Sequence, residues 1–235
     1  MSYEFEEIYA LVLCETSGQV RDALAKQGAI AYSCDVLEDR SGDGKMHLQC
    51  DAFEALDIRV WDIVIAHPPC TFLTTSAAWA FHDKPMFKGK PRNIKPGTLI
   101  GKKRRDAREK AVQFVKDIYN HPNAKRVCIE NPKGFLSTMW MKYTQLIQPY
   151  NFGHDASKGT CLWLRKLKLL ENGEYIEPRI VNGLPRWANQ TDSGQNRLPP
   201  TEDRWQVRSD TYSGVAAVMA KTWIGQIREE QRSII

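Results

Sequence analysis

The chain has 235 residues, of which 42% are hydrophobic and seven are tryptophan, so it can bury the core of one α/β domain. Its net charge is +5, no run reaches the roughly 18–20 apolar residues of a membrane helix, and the acidic, polar start is unlike a signal peptide, so we expect a cytoplasmic protein without a membrane partner. The six cysteines form no CxxC pair and have no close histidine, so we expect no metal site and no disulfide framework.

The first half of the chain alternates apolar, β-prone runs with turns. Strands are predicted at residues 8–14, 29–35, 46–51 and 60–66. A helix is predicted at 19–27, where Val20, Ala23 and Leu24 take helical spacing. Residues 71–100 show no regular period, and a loop of this length is usually functional or mobile.

The second half continues the alternation. The predicted elements are a helix at 102–119, a strand at 125–130, a helix at 134–147, a β segment at 160–170 and a helix at 210–230. Residues 171–208 are polar and rich in Pro, Asn, Gly and Asp, and are expected to be weakly structured. The pattern as a whole predicts an α/β fold with a mostly parallel central sheet.

Two predicted strands end in short motifs that carry reactive groups. His-Pro-Pro-Cys at 67–70 follows the strand at 60–66, and its prolines stiffen the turn that delivers Cys70. Glu-Asn-Pro at 130–132 ends a second strand. Because ligands collect outside the carboxyl ends of parallel strands, we expect Cys70 and Glu130 to share one site. His67 is interpreted as a structural or neighbouring residue rather than a base.

The pairing of a thiol with a carboxyl group suits chemistry on cytosine. Cys70 would add to C6, which makes C5 able to take a methyl group, while Glu130 holds N3 and the exocyclic amine. The turn at residues 15–18 leads into a helix and is where a nucleoside cofactor would lie. Asp35 would accept hydrogen bonds from ribose hydroxyls, and Asp51 from an adenine amine.

Basic residues are concentrated at 84–108, where ten Lys and Arg face one acidic residue, Asp106. The remainder of the chain is net acidic. Clustered cations predict a nucleic-acid contact, and the alternative is a solvated loop and helix face. The four candidates at the helix start are Lys102, Lys103, Arg104 and Arg105. The nearby aromatic residues Trp79, Phe81 and Phe87 either stack on bases or pin the loop.

These motifs resemble those of the DNA cytosine-5 methyltransferases, especially the short members encoded by bacteriophages. Residues 68–70 resemble the Pro-Cys nucleophile motif of that family, and residues 130–132 its Glu-Asn motif. The resemblance implies a Rossmann-like S-adenosylmethionine-dependent methyltransferase fold, with residues 1–235 as one catalytic domain. It further implies DNA as the partner, methyl transfer to C5 through a covalent Cys–C6 bond, and a bacterial or phage-infected cell as the setting.

The same resemblance assigns roles to individual residues. Cys70 is the implied nucleophile and Glu130 the implied acid at N3, with Pro69 and Asn131 beside the base. The residues implied at the cofactor are Ser17, Gly18, Asp35, Asp51, Pro68 and Ser213.

Three departures from the family pattern leave alternatives open. Glu15 and Thr16 stand where the family's first turn has glycine or small residues, and the Gln-x-Arg-x-Arg segment falls on 157–161 without either arginine. Lys158 or Arg165 would then contact the cytosine carbonyl. Residues 171–208 are short for a target-recognition region, so recognition is relaxed or moved to residues 84–108. The competing functions are an amino-methyltransferase acting on DNA bases, which needs no nucleophile, and a nucleic-acid-binding protein that has lost catalysis.

Overall fold

The computed structural model describes residues 6–42, 44–199, 201 and 204–233. Its strands are β1 (Tyr9–Leu13), β2 (Ile30–Asp35), β3 (His47–Gln49), β4 (Ile63–Ala66), β5 (Met86–Phe87), β6 (Lys90–Pro91), β7 (Val127–Pro132), β8 (Gln145–Ile147), β9 (Thr160–Arg165), β10 (Arg179–Val181) and β11 (Leu184–Arg186). Its α-helices are α1 (Gln19–Lys26), α2 (Ala52–Asp57), α3 (Gly101–Asn120), α4 (Leu136–Met139), α5 (Arg204–Ser209) and α6 (Ser213–Ser233). Short 3-10 helices lie at Ala78–Phe81 and Pro149–Phe152.

Seven strands form one central sheet in the order β3-β2-β1-β4-β7-β9-β8. The first five run parallel, β9 runs antiparallel to β7, and β8 pairs antiparallel with β9. The chain moves outward from β1 to β3 and then returns to place β4 on the other side of β1. The prediction of an α/β fold with a mostly parallel sheet is confirmed, and the order reverses between β1 and β4, where such sheets bind ligands.

Helices cover both faces of the sheet. Helices α1 and α6 bury one face, with Leu24, Met219 and Trp223 in its core. The other face is covered in part by α2 and α3, with Leu56 and Val115 in its core. All four residues of β4 are buried because both faces are covered, which explains the uninterrupted apolar run in the sequence. No helix within the described residues is long and apolar enough to span a membrane.

Several regular elements differ from the prediction, among them α2 and the 3-10 helix at Pro149–Phe152, which were not predicted. The predicted helix at 134–147 is wrong: α4 has only four residues, and Gln145–Ile147 form the edge strand β8, which pairs with β9. The loop at 71–100 contains the β5–β6 ribbon, which turns at Lys88 and Gly89 with φ of 50° and 76°. Residues 171–208 contain the β10–β11 ribbon, which turns at Asn182 and Gly183, an Asn-Gly pair that favours such hairpins.

Candidate active site

The turn that carries Cys70 is held from both sides at the carboxyl edge of the sheet. The His67 amide donates to the Leu13 carbonyl at 3.0 Å, which continues the contact between β4 and β1. The Asn131 side-chain amide donates to the Pro68 carbonyl at 2.8 Å. Pro68 is buried, Pro69 is exposed, and Cys70 is partly exposed. Asn131 therefore acts in this structure as a clamp that ties the Cys70 turn to the end of β7.

A glycine that the sequence reasoning missed lets the two turns meet. The Phe135 amide donates to the Leu73 carbonyl at 2.7 Å, and Thr74 forms an isolated bridge with Gly134. A Cβ atom on Gly134 would lie 1.9 Å from the Leu73 carbonyl oxygen. Only glycine allows this close approach. The sequence contains one signal for this glycine, which is its position two residues after the Glu-Asn-Pro motif.

Glu130 and His67 form a buried pair. His67 Nδ1 lies 2.7 Å from Glu130 Oε2, and the two side chains are only 11% and 9% exposed. The Thr211 hydroxyl also donates to Glu130 Oε2, at 3.2 Å. Burial alone would raise the pKa of Glu130, but His67, Lys158 and Thr211 outweigh it and hold that pKa at about 2. Burial would lower the pKa of His67, but Glu130 outweighs it and raises that pKa.

A small cavity opens beside this pair. Its polar wall consists of Glu130, Lys158, Thr160 and Thr211. Its remaining lining comes from Ile147, Pro149, Tyr212 and Val215. A few polar groups converge on an apolar floor here, as they do in small-molecule sites, but the free space of about 10 Å³ is only water-sized. Thr211 and Thr160 are members of this site that the sequence reasoning did not identify, because they lie far from Glu130 in the chain.

Lys158 faces both reactive groups. Its ammonium donates to the Asp210 carbonyl at 3.2 Å, and its charge lowers the pKa of both Cys70 and Glu130. Burial nevertheless raises the pKa of Cys70 above its ordinary value, since Lys158 and Arg208 only partly offset it. The thiol therefore carries its proton at neutral pH.

Arg165 is not part of the site, so that assignment is wrong. Strand β9 runs antiparallel to β7, which pairs Thr160 with Pro132 at the carboxyl edge but Arg165 with Val127 at the amino edge. The Arg165 guanidinium donates to the Ala124 carbonyl, and its carbon lies 5.8 Å from the centre of the Tyr119 ring. Of the two cations considered for the base carbonyl, only Lys158 borders the cavity.

The turn after β1 uses its own carboxylate to cap α1. Glu15 is 5% exposed and accepts from the Val20 amide at 2.7 Å and the Arg21 amide at 3.2 Å. Ser17 donates to Glu15, and Gly18 takes a left-handed φ of 69°. A free helix N-terminus attracts phosphate, but here a carboxylate occupies it. The start of α1 is therefore not free to bind a phosphate group.

The carboxylates after β2 and β3 converge on this turn. Burial, together with the charges of Asp35 and Asp51, raises the pKa of the Cys14 thiol to about 12, so both carboxylates lie near Cys14. Asp51 caps α2 through the Phe53 amide at 2.8 Å. Beside Asp35, Val36 and Leu37 are 66% and 42% exposed and form an apolar surface at the same edge.

The segment that leads into α6 lies between the cavity and the turn after β1. Ser213 is its exposed first residue, and Tyr212 lines the cavity beside Glu130. Arg40, in the loop after β2, forms an ion pair with Asp210. This contact joins the β2 side of the sheet edge to the segment that leads into α6. Ser213, Asp35 and Pro68 therefore lie around the same edge of the sheet.

The four basic residues at the start of α3 have different surroundings. Arg104 is 6% exposed and donates to the Thr71 carbonyl at 3.0 Å, so its assignment to nucleic acid is wrong in this structure. Arg105 donates to the Phe81 carbonyl at 2.7 Å and pairs with Asp83. Lys102 pairs with Asp106 at 2.7 Å. Lys103 is exposed.

The aromatic residues of the loop divide into two groups. The Phe81 ring lies 5.1 Å from Phe135 and 4.3 Å from the Arg108 guanidinium, so it pins the loop. Trp79 is covered by the Arg92 guanidinium at 4.3 Å. Phe87 is 55% exposed on the β5–β6 ribbon, where it remains accessible to a base.

Comparison with known proteins adds no relative. No model of a known protein family matches the chain, and no curated protein is similar to it. Across the residues that the structure describes, no three His, Cys, Asp or Glu side chains come together in a group that could hold a metal ion. The geometry of the sheet edge is therefore the evidence for the candidate site.

Proposed function

We propose that the protein transfers a methyl group from S-adenosylmethionine to C5 of cytosine in DNA, through a covalent bond between Cys70 and C6. One observation carries this proposal. Cys70 follows β4, Glu130 lies in the adjacent parallel strand β7, and the Asn131–Pro68 hydrogen bond joins the two segments. Glu130 and Lys158 line one cavity. A nucleophile and a carboxyl group in this relation suit addition to a pyrimidine ring.

The cytosine must leave the base stack to reach the site, and the proposed pocket for it is this water-sized cavity, which would have to widen as the base enters. Glu130 would bind N3 and the exocyclic amine, and Lys158 would donate to the ring carbonyl. The Cys70 sulfur would bond to C6, which turns C5 into a nucleophilic carbon. After methylation, C5 loses its proton and the carbon–sulfur bond breaks, which restores the ring and the thiolate.

The cofactor region fits a nucleoside that lacks phosphate. Asp35 and Asp51 offer acceptors for ribose and adenine, and Val36 and Leu37 offer an apolar surface at the same edge. The Glu15 carboxylate at the start of α1 suits a positively charged group and would repel a pyrophosphate. When bound, S-adenosylmethionine supplies an electrophilic methyl group.

DNA would contact the loop that follows Cys70. Its β5–β6 ribbon exposes Met86 and Phe87 beside the exposed cations Lys88 and Lys90. Cations neutralise phosphates, and exposed aromatic rings stack on unpaired bases. This ribbon belongs to the loop that begins at Thr71, directly after the proposed nucleophile.

The test uses duplex DNA that contains 5-fluorocytosine, because fluorine cannot leave C5 as a proton. The wild-type protein with S-adenosylmethionine should form a complex with this DNA that survives denaturing electrophoresis, and Cys70→Ser should form none. Cys128→Ala, which changes a buried thiol inside β7, serves as the control and should trap normally.

Digestion of ordinary methylated DNA then identifies the product. The proposal expects 5-methylcytosine by mass spectrometry. A methyl group on an exocyclic amine, or a wild-type protein that neither traps nor methylates DNA, would overturn the proposal.

A further inference from the structure

Three buried ionisable groups connect the proposed cofactor side of the sheet edge to the base pocket. Glu15 follows β1, His67 follows β4, and Glu130 lies in β7, which are neighbouring strands. Glu15 and Glu130 are 5% and 8% exposed, and the side chain of His67 is 11% exposed. The proposed reaction uses Glu130 and leaves His67 without a role.

The hydrogen bonds of Glu130 define its protonation state. Oε2 lies 2.7 Å from His67 Nδ1 and also accepts the Thr211 hydroxyl at 3.2 Å. An oxygen that accepts two such bonds belongs to an ionised carboxylate. Cytosine N3 needs a proton when a thiolate adds to C6, and an ionised Glu130 has none to give. The acid must therefore be supplied by the neighbour of Glu130.

We infer that His67 stores the proton for the proposed reaction, passing it from Nδ1 through Glu130 to N3 as Cys70 bonds to C6, and taking it back when that bond breaks. This inference rests on the proposed function. His67 is a positioning and relay residue, since it acts on the base through Glu130. Its Nε2 atom is buried without a hydrogen-bond partner in the described part of the chain, so Nδ1 carries the exchange.

Protons and charges balance in this scheme. Cys70 first loses its thiol proton to water, and it takes one back from water after the carbon–sulfur bond breaks. At the moment of addition, the site holds a His67 imidazolium, a Glu130 carboxylate and a Cys70 thiolate. After addition, His67 is neutral, Glu130 is again a carboxylate, N3 holds the proton, and sulfur is bonded to C6. After methyl transfer, the C5 proton leaves to water, the thiolate departs, and the N3 proton returns through Glu130 to His67.

The charges around His67 favour its imidazolium form. Glu130 from β7 and Glu15 from the turn after β1 favour the cation, whereas burial and Lys158, which precedes β9, oppose it. The carboxylates prevail and raise the pKa of His67. Glu15 also caps α1. The His67 imidazolium therefore interacts with a carboxylate on the proposed cofactor side as well as with Glu130 at the proposed base pocket.

His67→Asn tests the relay, because an asparagine amide donates a hydrogen bond but cannot carry the proton. The measurement is the single-turnover rate of Cys70 trapping by 5-fluorocytosine DNA across pH 6–9. We expect a fall of about 10²-fold near neutral pH, the lower end of what a positioned acid contributes. We also expect the trapping rate of the variant to lose the dependence on pH that the titration of His67 causes in the wild type. His121→Asn, at the opposite edge of the sheet, should match wild type.

The two proposals fail differently. If the wild-type protein does not trap DNA at any pH, the proposed function is overturned. If it traps, but His67→Asn has the wild-type rate, or is slowed equally at every pH, the relay is overturned. The His67 ring is also followed by nitrogen NMR: its titration should occur at higher pH in the wild type than in Glu130→Gln, and equal titrations would contradict the relay.

Discussion

Two regions of the molecule use charge in opposite ways. One is the corner formed by His67, Cys70 and Glu130, and the other is the basic segment at 84–108. In the corner, the His67–Glu130 pair is held between neighbouring strands and shielded from water. Burying such a pair is costly, so its presence beside a cavity points to chemistry rather than to stability. In the basic segment, several cations are already bonded to the protein, as Arg104 and Arg105 show. A count of basic residues therefore overstates the charge that is free to meet phosphate.

The largest expected effect is on the chemistry of the corner. Glu130→Gln keeps the shape of the side chain but removes the carboxylate that binds N3 and receives the His67 proton. We expect methylation to fall by about 10²–10⁴-fold. DNA affinity should change far less, because the exposed cations lie elsewhere.

Rate and affinity are measured separately for this variant, by single-turnover methylation and by fluorescence anisotropy. A variant that methylates at the wild-type rate would remove Glu130 from the reaction. A variant that loses DNA binding to the same extent as activity would instead show that the corner serves affinity.

The next effect separates a buried cation from an exposed one on the same helix. Arg104→Ala removes a guanidinium that bonds the Thr71 carbonyl and packs 5.2 Å from the Phe72 ring. We expect a loss of roughly 1–3 kcal/mol in the free energy of unfolding, because a buried side chain loses both its packing and its hydrogen bond. Lys103→Ala should be nearly neutral, since surface substitutions usually stay within about 0.5 kcal/mol.

Urea unfolding of both variants provides the measurement. Equal stabilities for Arg104→Ala and Lys103→Ala would contradict the structural role of Arg104. That result would return Arg104 to the set of candidate DNA contacts.

The smallest expected effect concerns the salt dependence of DNA binding. Lys88, Lys90 and Lys103 are the exposed cations that the structure leaves for phosphate in the ribbon and at the start of α3. Each phosphate contact that is lost should lower the slope of log affinity against log salt by about 0.9 on duplex DNA. The triple alanine variant should therefore bind with a shallower slope and weaken different DNA sequences about equally.

Lys221→Ala, on the exposed side of α6, is the matched control and should leave the slope unchanged. If the triple variant keeps the wild-type slope, the basic segment does not contact DNA. The cations of the basic segment would then serve the structure of the protein rather than DNA binding.

Local patterns in the sequence determined most of the central sheet. The apolar runs predicted β1, β2, β4 and β7, and helical spacing predicted α3 and α6, because burial on a strand or helix face has a fixed period along the chain. Prolines at 68 and 69 marked the turn that carries Cys70. The parallel pattern then placed Cys70 and Glu130 at the same edge, since carboxyl ends of parallel strands meet there.

Other features were decided only by the tertiary structure. Because β9 runs antiparallel to β7, Lys158 lies at the cavity and Arg165 lies at the opposite edge of the sheet. The direction of a strand depends on the neighbour with which it pairs. The His67–Glu130 bond spans 63 residues of chain. The burial of Arg104 follows from the fold of residues 71–100, which shows no period in the sequence. Local periodicity records which face of an element is buried, but contacts between distant side chains and the free charge of a surface arise only when the elements pack.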